Sequence, residues 1–190
     1  REVTLKDGAK HLGKTIIIAT GISYTPMGIP GEDSRVGRGV AMCVACDGPL
    51  FANKNVAVVG NGNHAASEAL ELFTHTKQIT MYSNGREWTI DAPLLKRLHD
   101  AKIPLKNDRI KGFVGDKFIK GLQMTDGSII EVSGVFSAMG VAGAVSLAMK
   151  VGVLLDNNFV VIDREGKTNV PGIYAAGACT GGNYQLAKSV

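Results

Sequence analysis

Nowhere does the 190-residue chain approach the roughly 20 consecutive apolar residues of a membrane-spanning helix; Thr15 to Thr20 has only the length of a buried strand. No membrane partner is expected. Aromatics are sparse at 6%, and the net charge of +4 comes from scattered Lys and Arg without a dense basic block, which argues against nucleic-acid binding. Three cysteines are too few for a closed disulfide framework. The opening Arg1-Glu2-Val3-Thr4 lacks the charged-then-apolar layout of an export signal and an initiator Met. The expectation is a cytoplasmic chain that begins inside a longer protein. What remains is a globular composition, 45% hydrophobic and 20% charged, long enough for one or two cores and unlike disordered or fibrous chains.

Local patterns point to an α/β protein. Thr15-Ile16-Ile17-Ile18-Ala19 reads as a buried strand running into a glycine turn at Gly21. Pro26, Gly28, Pro30, Gly31, Gly37 and Gly39 then punctuate Ser23 to Val40 too densely for a regular element, so a domain crossing is expected there. Asn55 to Val59 is a compact apolar run. Gly60-Asn61-Gly62-Asn63-His64-Ala65 follows, and then Ala65, Ala66, Ala69, Leu70 and Phe73 at helical spacing. Gln78 to Tyr82 supplies the next strand, and Asp91 with Pro93 opens a helix, completing a βαβ unit. Asp126-Gly127 suits a tight hairpin between two short strands, and Val135 to Gly140 is another strand before a second glycine-rich crossing at Gly140 to Gly143. In the tail, Phe159 to Asp163 and Ile173 to Gly177 read as strands, with a helix expected to start after Gly177.

Three places carry chemistry. Gly60-x-Gly62-x-x-Ala65 matches a dinucleotide fingerprint, in which small residues permit a tight turn, close backbone approach to a pyrophosphate and helix-on-strand packing. An empty strand-to-helix turn is the alternative. About 20 residues further, where a carboxylate would select NAD and arginines NADP, the chain has Tyr82-Ser83-Asn84-Gly85, with Arg86 as one nearby cation. Cys43-Val44-Ala45-Cys46 has the spacing of a redox-active pair, and Asp47 could move the proton that thiol–disulfide exchange requires. Structural zinc and two inert buried thiols remain alternatives, although no second paired motif completes a metal site. Cys179, in Gly177-Ala178-Cys179-Thr180-Gly181-Gly182, reads as a packing residue, and His64 as a residue facing a ligand through its backbone.

Taken in order, Ala19-Thr20-Gly21, Gly37-Arg38-Gly39-Val40, Cys43-Val44-Ala45-Cys46-Asp47-Gly48, Gly60-x-Gly62-Asn63 and Gly172-Ile173-Tyr174-Ala175-Ala176-Gly177 resemble the thioredoxin reductase family along nearly the whole chain. Asp47-Gly48-Pro49-Leu50-Phe51 also resembles the sister reductases that serve alkyl hydroperoxide peroxiredoxins. The resemblance implies a Rossmann-like three-layer (ββα) nucleotide-binding domain, residues 39–139, inserted in an FAD-binding domain of the same type, residues 1–38 and 140–190. It implies a homodimer in which the inserted domain rotates to present nucleotide and Cys pair alternately to the flavin. Electrons would pass from a donor to FAD, to the Cys43/Cys46 disulfide, and on to thioredoxin or a thioredoxin-like protein. Cys46 would lie beside the flavin, Cys43 would attack the partner, and Asp47 would handle the proton. FAD contacts map to Thr20, Gly21, Gly177, Ala178, Tyr184, Gln185 and Leu186, nucleotide contacts to Gly60, Asn61, Gly62, Asn63, His64 and Ala65, and Met139 and Gly140 are further cofactor-binding residues.

The sequence departs from the family in three places. The opening G-x-G-x-x-G for the adenosine half of FAD and the C-terminal helix are absent, the reading being a fragment. Ala178 replaces the aspartate that meets the flavin's ribityl chain, and Ser83-Asn84-Gly85 replaces the His-Arg-Arg that takes NADPH. The expected function is therefore a flavoprotein disulfide reductase whose donor is NADPH, NADH, ferredoxin or a reduced deazaflavin. A peroxiredoxin-reductase-like activity and a redox sensor without efficient turnover are the alternatives.

Overall fold

Val56-Ala57-Val58-Val59 is buried on both faces, and its alternation divides the interior in two. Val56 and Val58 pack with Ala65, Ala66, Ala69 and Leu72 of the helix Asn63–Leu72 and with Leu98 of the helix Ala92–Asp100. Ala57 and Val59 face the other way, toward Ile110, Leu122, Met124 and Tyr82. Successive side chains of a strand point to opposite sides, so a strand apolar at every position belongs in the centre of a sheet covered twice. The computed structural model describes residues 1–142 and 145–181.

The sheet containing this strand has five parallel strands in the order Val40–Ala41, Gly134–Ser137, Val56–Val59, Ile79–Tyr82, Leu105–Lys106. The two helices lie on one face. On the other lies an antiparallel meander of Ile110–Val114, Gly121–Met124 and Ile129–Glu131, whose second turn closes from Gly127 N–H to Met124 O, with Gly127 at φ +90° and Asp126 not at positive φ: a three-residue loop with its glycine last, where the dipeptide alone suggested a tighter turn. Helices, parallel sheet and meander form the three-layer α/β arrangement of a Rossmann-like domain. Gly134–Ser137, late in sequence, pairs between two early strands.

The chain separates into two compact units, Tyr24–Gly140 and Arg1–Ser23 with Val141–Val190. The second boundary coincides with the glycine-rich crossing near residue 140. The first lies between residues 23 and 24, not between 38 and 39 as the sequence led us to expect, because Met27 and Ile29 pack into the same core as Val40 and Ala57. Nor is Ser23 to Val40 all loop. Ser23–Tyr24 is a short strand and Glu32–Arg35 a helical turn. The Glu32 side chain, only 7% exposed, accepts the N–H groups of Met27, Gly28 and Ile29 at 3.1, 2.8 and 3.0 Å. Glu32→Ala leaves three donors without that acceptor and is expected to cost about 2 to 4 kcal/mol in urea denaturation, with Gln recovering part of the loss. A loss below about 0.5 kcal/mol would show that the loop re-satisfies itself.

In the other unit Ile16–Ile18 runs parallel to Ile173–Ala175, with Ile16 opposite Ile173. The expected strand from Phe159 is a two-residue arm, Phe159–Val160, returning against Leu155–Asp156 through Asn157 and Asn158, both at positive φ. Ile18, Val153, Val160, Ile173, Ala175 and Cys179 share one core with Ala148 of the helix Val145–Val151. After Gly177 the chain forms a 3-10 turn, Gly177–Thr180, where a helix was expected to start. Among the described residues no helix is long and apolar enough to cross a membrane.

Candidate functional site

Cys43 and Cys46 are joined in a disulfide. With both sulfurs in one bridge, the zinc and inert-thiol readings of this pair do not describe the structure. Cys43 is the extended N-cap of the helical turn Val44–Asp47, and its Sγ accepts the Cys46 N–H at 3.2 Å. The turn is anchored from behind. Val44 is fully buried, and Phe51 meets Phe136 edge-on at 5.2 Å. The Phe51 ring also fills the space a side chain at Gly134 would need, its Cε1 lying 2.2 Å from an ideal Cβ there. Gly48 is similarly closed by the His75 ring, at 2.7 Å. Cys46 is exposed, whereas Cys43 and Asp47 are half-buried.

Two side chains that the sequence did not single out stand around this turn. Glu68, on the helix Asn63–Leu72, accepts the Val44 N–H through Oε2 at 3.2 Å. Burial raises the pKa of its carboxyl, the Val44 hydrogen bond opposes that rise, and Glu71 adds to it. Tyr24 lies close enough to be affected by both carboxylates: burial first, then Glu68 and Asp47, push its hydroxyl pKa up. A signal for Glu68 did exist. It falls between Ala65 and Leu72, at i−3 and i+4, which are both fully buried, so a charged residue interrupts the apolar stripe.

The glycine turn sits at the carboxyl end of Val56–Val59 and opens the helix Asn63–Leu72, as the fingerprint requires. The helix is capped by Gly62 without a side-chain bond, and its first backbone bond joins Ala66 N–H to Gly62 O. The N–H groups of His64 and Ala65 thus precede the first helical donor, Ala66, and can face an anion. His64 Nε2 is buried without a hydrogen-bond partner, and burial lowers its pKa. An orphaned polar atom beside open N–H groups fits a bound nucleotide. The segment Glu87–Asp91 closes one side of the turn: Asn61 donates to Glu87 O at 2.7 Å, Thr89 N–H donates to Asn61 O at 2.7 Å, and Asn63 and Asp91 bond each other reciprocally.

Beyond Ile79–Tyr82 the expected specificity position is internally committed. Ser83 is fully buried and donates to Asn107 Oδ1 at 3.2 Å. The Asn84 carboxamide donates to Met27 O at 3.3 Å and accepts from Ile110 N–H at 2.9 Å. The cations here are Arg86, whose guanidinium donates to Met139 Sδ at 3.1 Å, and Arg109, whose side chain lies over Gly85. Gly140, at φ +115°, accepts the Thr25 N–H at 2.9 Å.

In the other unit, Thr20 and Gly21 follow Ile16–Ile18 while Gly177 and Ala178 follow Ile173–Ala175, so all four lie beyond the carboxyl ends of two paired parallel strands. That is where open α/β sheets hold ligands, and glycines at φ +66° and +80° leave the backbone accessible. This backbone arrangement fits FAD, although Ala178 offers no side-chain acceptor. Cys179 Sγ bonds Ile18 O and Ala176 O, as a packing residue does. Tyr184, Gln185 and Leu186 lie outside the described residues.

Comparison with known proteins gives one consistent picture. Residues 1–189 match the family described as pyridine nucleotide-disulphide oxidoreductase. The chain is 37% identical over 188 residues to one of the alkyl hydroperoxide reductase subunits of Staphylococcus epidermidis, covering 94% of this chain and 36% of that protein. Among solved structures, the atypical thioredoxin reductase of Desulfovibrio vulgaris Hildenborough superposes with a TM-score of 0.63 at 35% identity, over 99% of this chain and 63% of that one. Thioredoxin reductase of Streptococcus pyogenes gives 0.84 at 26% identity, over 98% and 64%. The chain therefore spans little more than a third of the staphylococcal relative.

Proposed function

This chain belongs to the pyridine nucleotide-disulphide oxidoreductase family, and on that premise we propose that the protein is a flavoprotein disulfide reductase in which the Cys43/Cys46 bridge passes electrons to a thioredoxin-like protein disulfide. The observation that carries this reading is the bridge itself, closed on a turn that ends in Asp47 and is anchored to a nucleotide-type unit. The family implies FAD, which when bound relays the donor's electron pair to the bridge. Thr20, Gly21, Gly177 and Ala178 would hold it through their backbone, and Gly60 to Ala65 would hold a nicotinamide nucleotide's pyrophosphate on the open N–H groups.

Opening the bridge takes two electrons and two protons and leaves two thiols. A Cys43 thiolate then attacks one sulfur of the partner disulfide, forming a mixed disulfide and releasing the other partner sulfur as a thiol. Cys46 next attacks Cys43, which closes the bridge again and frees the partner's second thiol. Asp47, in the same helical turn, supplies the proton that a leaving sulfur needs. The assignment of attack to Cys43 rests on family resemblance, since Cys46 is the more exposed residue in this structure.

The acceptor has a second reading, a peroxiredoxin-type partner, supported by the likeness to the staphylococcal alkyl hydroperoxide reductase. The donor is tested directly. Anaerobic mixing of the full-length flavoprotein with NADH, NADPH, ferredoxin or reduced deazaflavin is expected to bleach the flavin band with at least one of them. NADPH is expected to serve poorly, because Ser83 and Asn84 are bonded internally and each missing arginine–phosphate contact removes about 1.5 to 3 kcal/mol. A low-micromolar Michaelis constant for NADPH would refute the donor argument. Bleaching with none of the four would refute the reductase and favour a redox sensor, which Ala178 also suggests.

A further inference from the structure

The helix that begins at the nucleotide-type turn also reaches the redox pair. His64 lies in its first turn, and Glu68, one turn later, extends its carboxylate to the N–H of Val44, the residue bonded directly to Cys43. Val44 is fully buried, so that N–H has no ready replacement in water. A carboxylate on a buried peptide next to a cysteine does two things. It orients the turn that carries the sulfurs, and it sets a negative charge near whichever sulfur ionises when the bridge opens.

We propose that Glu68 is a positioning residue for the Cys43/Cys46 pair, its carboxylate holding the Cys43–Val44 peptide and opposing thiolate formation there once the disulfide is reduced. The proposal rests on the reading of this pair as redox-active. The titratable groups that act on or are acted on by Glu68 are Tyr24, before the helical turn Glu32–Arg35, and Glu71 on its own helix. Asp47 of the cysteine turn acts on the same Tyr24, and His64 lies one turn earlier on the helix, its pKa lowered by burial. Tyr24, Asp47 and Glu71 are not basic side chains, and burial disfavours the cationic form of His64, so none of them counters its charge. Burial already disfavours the Glu68 carboxylate, and a nearby thiolate would disfavour it further. Ionisation of either group therefore resists ionisation of the other. Because a thiolate that is harder to form destabilises the reduced pair, Glu68 would also make the pair a stronger reductant.

The test uses the reduced full-length protein and its variant Glu68→Gln, which keeps an acceptor oxygen without the charge. A dithiol reductant opens the bridge, supplying both electrons and both protons. After its removal, iodoacetamide alkylation is followed against pH by peptide-resolved mass spectrometry, so that Cys179 is counted separately. Glu68→Gln is expected to move the midpoint for the more reactive thiol of the pair down by about half to one pH unit, the size expected of a like charge several ångströms away. Glu68→Ala should shift it in the same direction and also speed hydrogen exchange at Val44 N–H. An unchanged midpoint in Glu68→Gln, with the bridge still opening and closing reversibly, would overturn the role of Glu68 alone. A pair that never re-forms its disulfide on air oxidation would overturn the redox reading and this proposal with it.

Discussion

Replacing Cys43 or Cys46 by Ser is expected to reduce disulfide-reductase turnover of the full-length protein by about three orders of magnitude or more, while flavin stays bound. The two halves of this expectation have separate causes. A single remaining sulfur cannot cycle between bridge and dithiol, so the electron pair has no carrier. The residues assigned to FAD, in contrast, belong to the unit built around Ile18, Ile173 and Ala175, whose core contains neither cysteine of the pair. The two variants also separate the roles of the sulfurs. Cys46→Ser leaves Cys43 to attack without a resolving thiol and should accumulate a mixed disulfide with the partner, visible on non-reducing gels. Accumulation with Cys43→Ser instead would reverse the roles, in line with the greater exposure of Cys46. Unchanged turnover in both would end the disulfide-reductase reading.

The second large effect is on stability. Gly60→Ala is expected to cost about 3 kcal/mol or more, as overpacking against backbone does. An ideal Cβ at residue 60 would fall 2.2 Å from the Ala138 carbonyl oxygen and 2.7 Å from Ala65 Cβ, neither of which is the end of a flexible side chain. At Gly62 the nearest atom is Thr89 Oγ1 at 3.2 Å, and the backbone, at φ −121°, is one that any residue adopts. Gly62→Ala should therefore leave the urea midpoint nearly unchanged and weaken nucleotide binding instead. The two glycines of one fingerprint thus separate into a packing requirement and a ligand requirement. Equal stability loss in both variants, or a Gly60→Ala loss below about 0.5 kcal/mol, would contradict that division.

In the fingerprint, the first glycine permits a tight turn. The structure gives a different reason for it. Ala138 follows the strand Gly134–Ser137, which inserts beside Val56–Val59 and brings its carbonyl against residue 60. No inspection of residues 60 to 65 could show this, because the obstructing atom lies 78 residues away in the chain. Glu68 is inconspicuous in the sequence for a related reason. Its importance comes from Val44, 24 residues earlier, and helical spacing alone marks it only as a charge on an otherwise apolar stripe. Ser83 and Asn84 show the opposite case. Their failure to supply arginines was legible, but only the folded chain reveals that both side chains are bonded inward to Asn107, Met27 and Ile110.

Elements whose cause is local were determined by the sequence itself: the strand, glycine turn and helix from residue 56 to 72, the Asp126-Gly127 hairpin, the helix opened by Asp91 and Pro93, and the close spacing that lets Cys43 meet Cys46. Alternation of period two, a 3.6-residue stripe and turn residues at positive φ act within a few residues, so they can be read in order along the chain. The tertiary structure alone decided what depends on which strands become neighbours. It set the five-strand order, drew residues 24 to 38 into the unit Tyr24–Gly140, laid Phe51 over Gly134 and delivered the Glu68 carboxylate to the redox turn. Those pairings join residues from about 20 to more than 80 positions apart, where a contact depends on the register and packing of whole elements and not on any local run of residues.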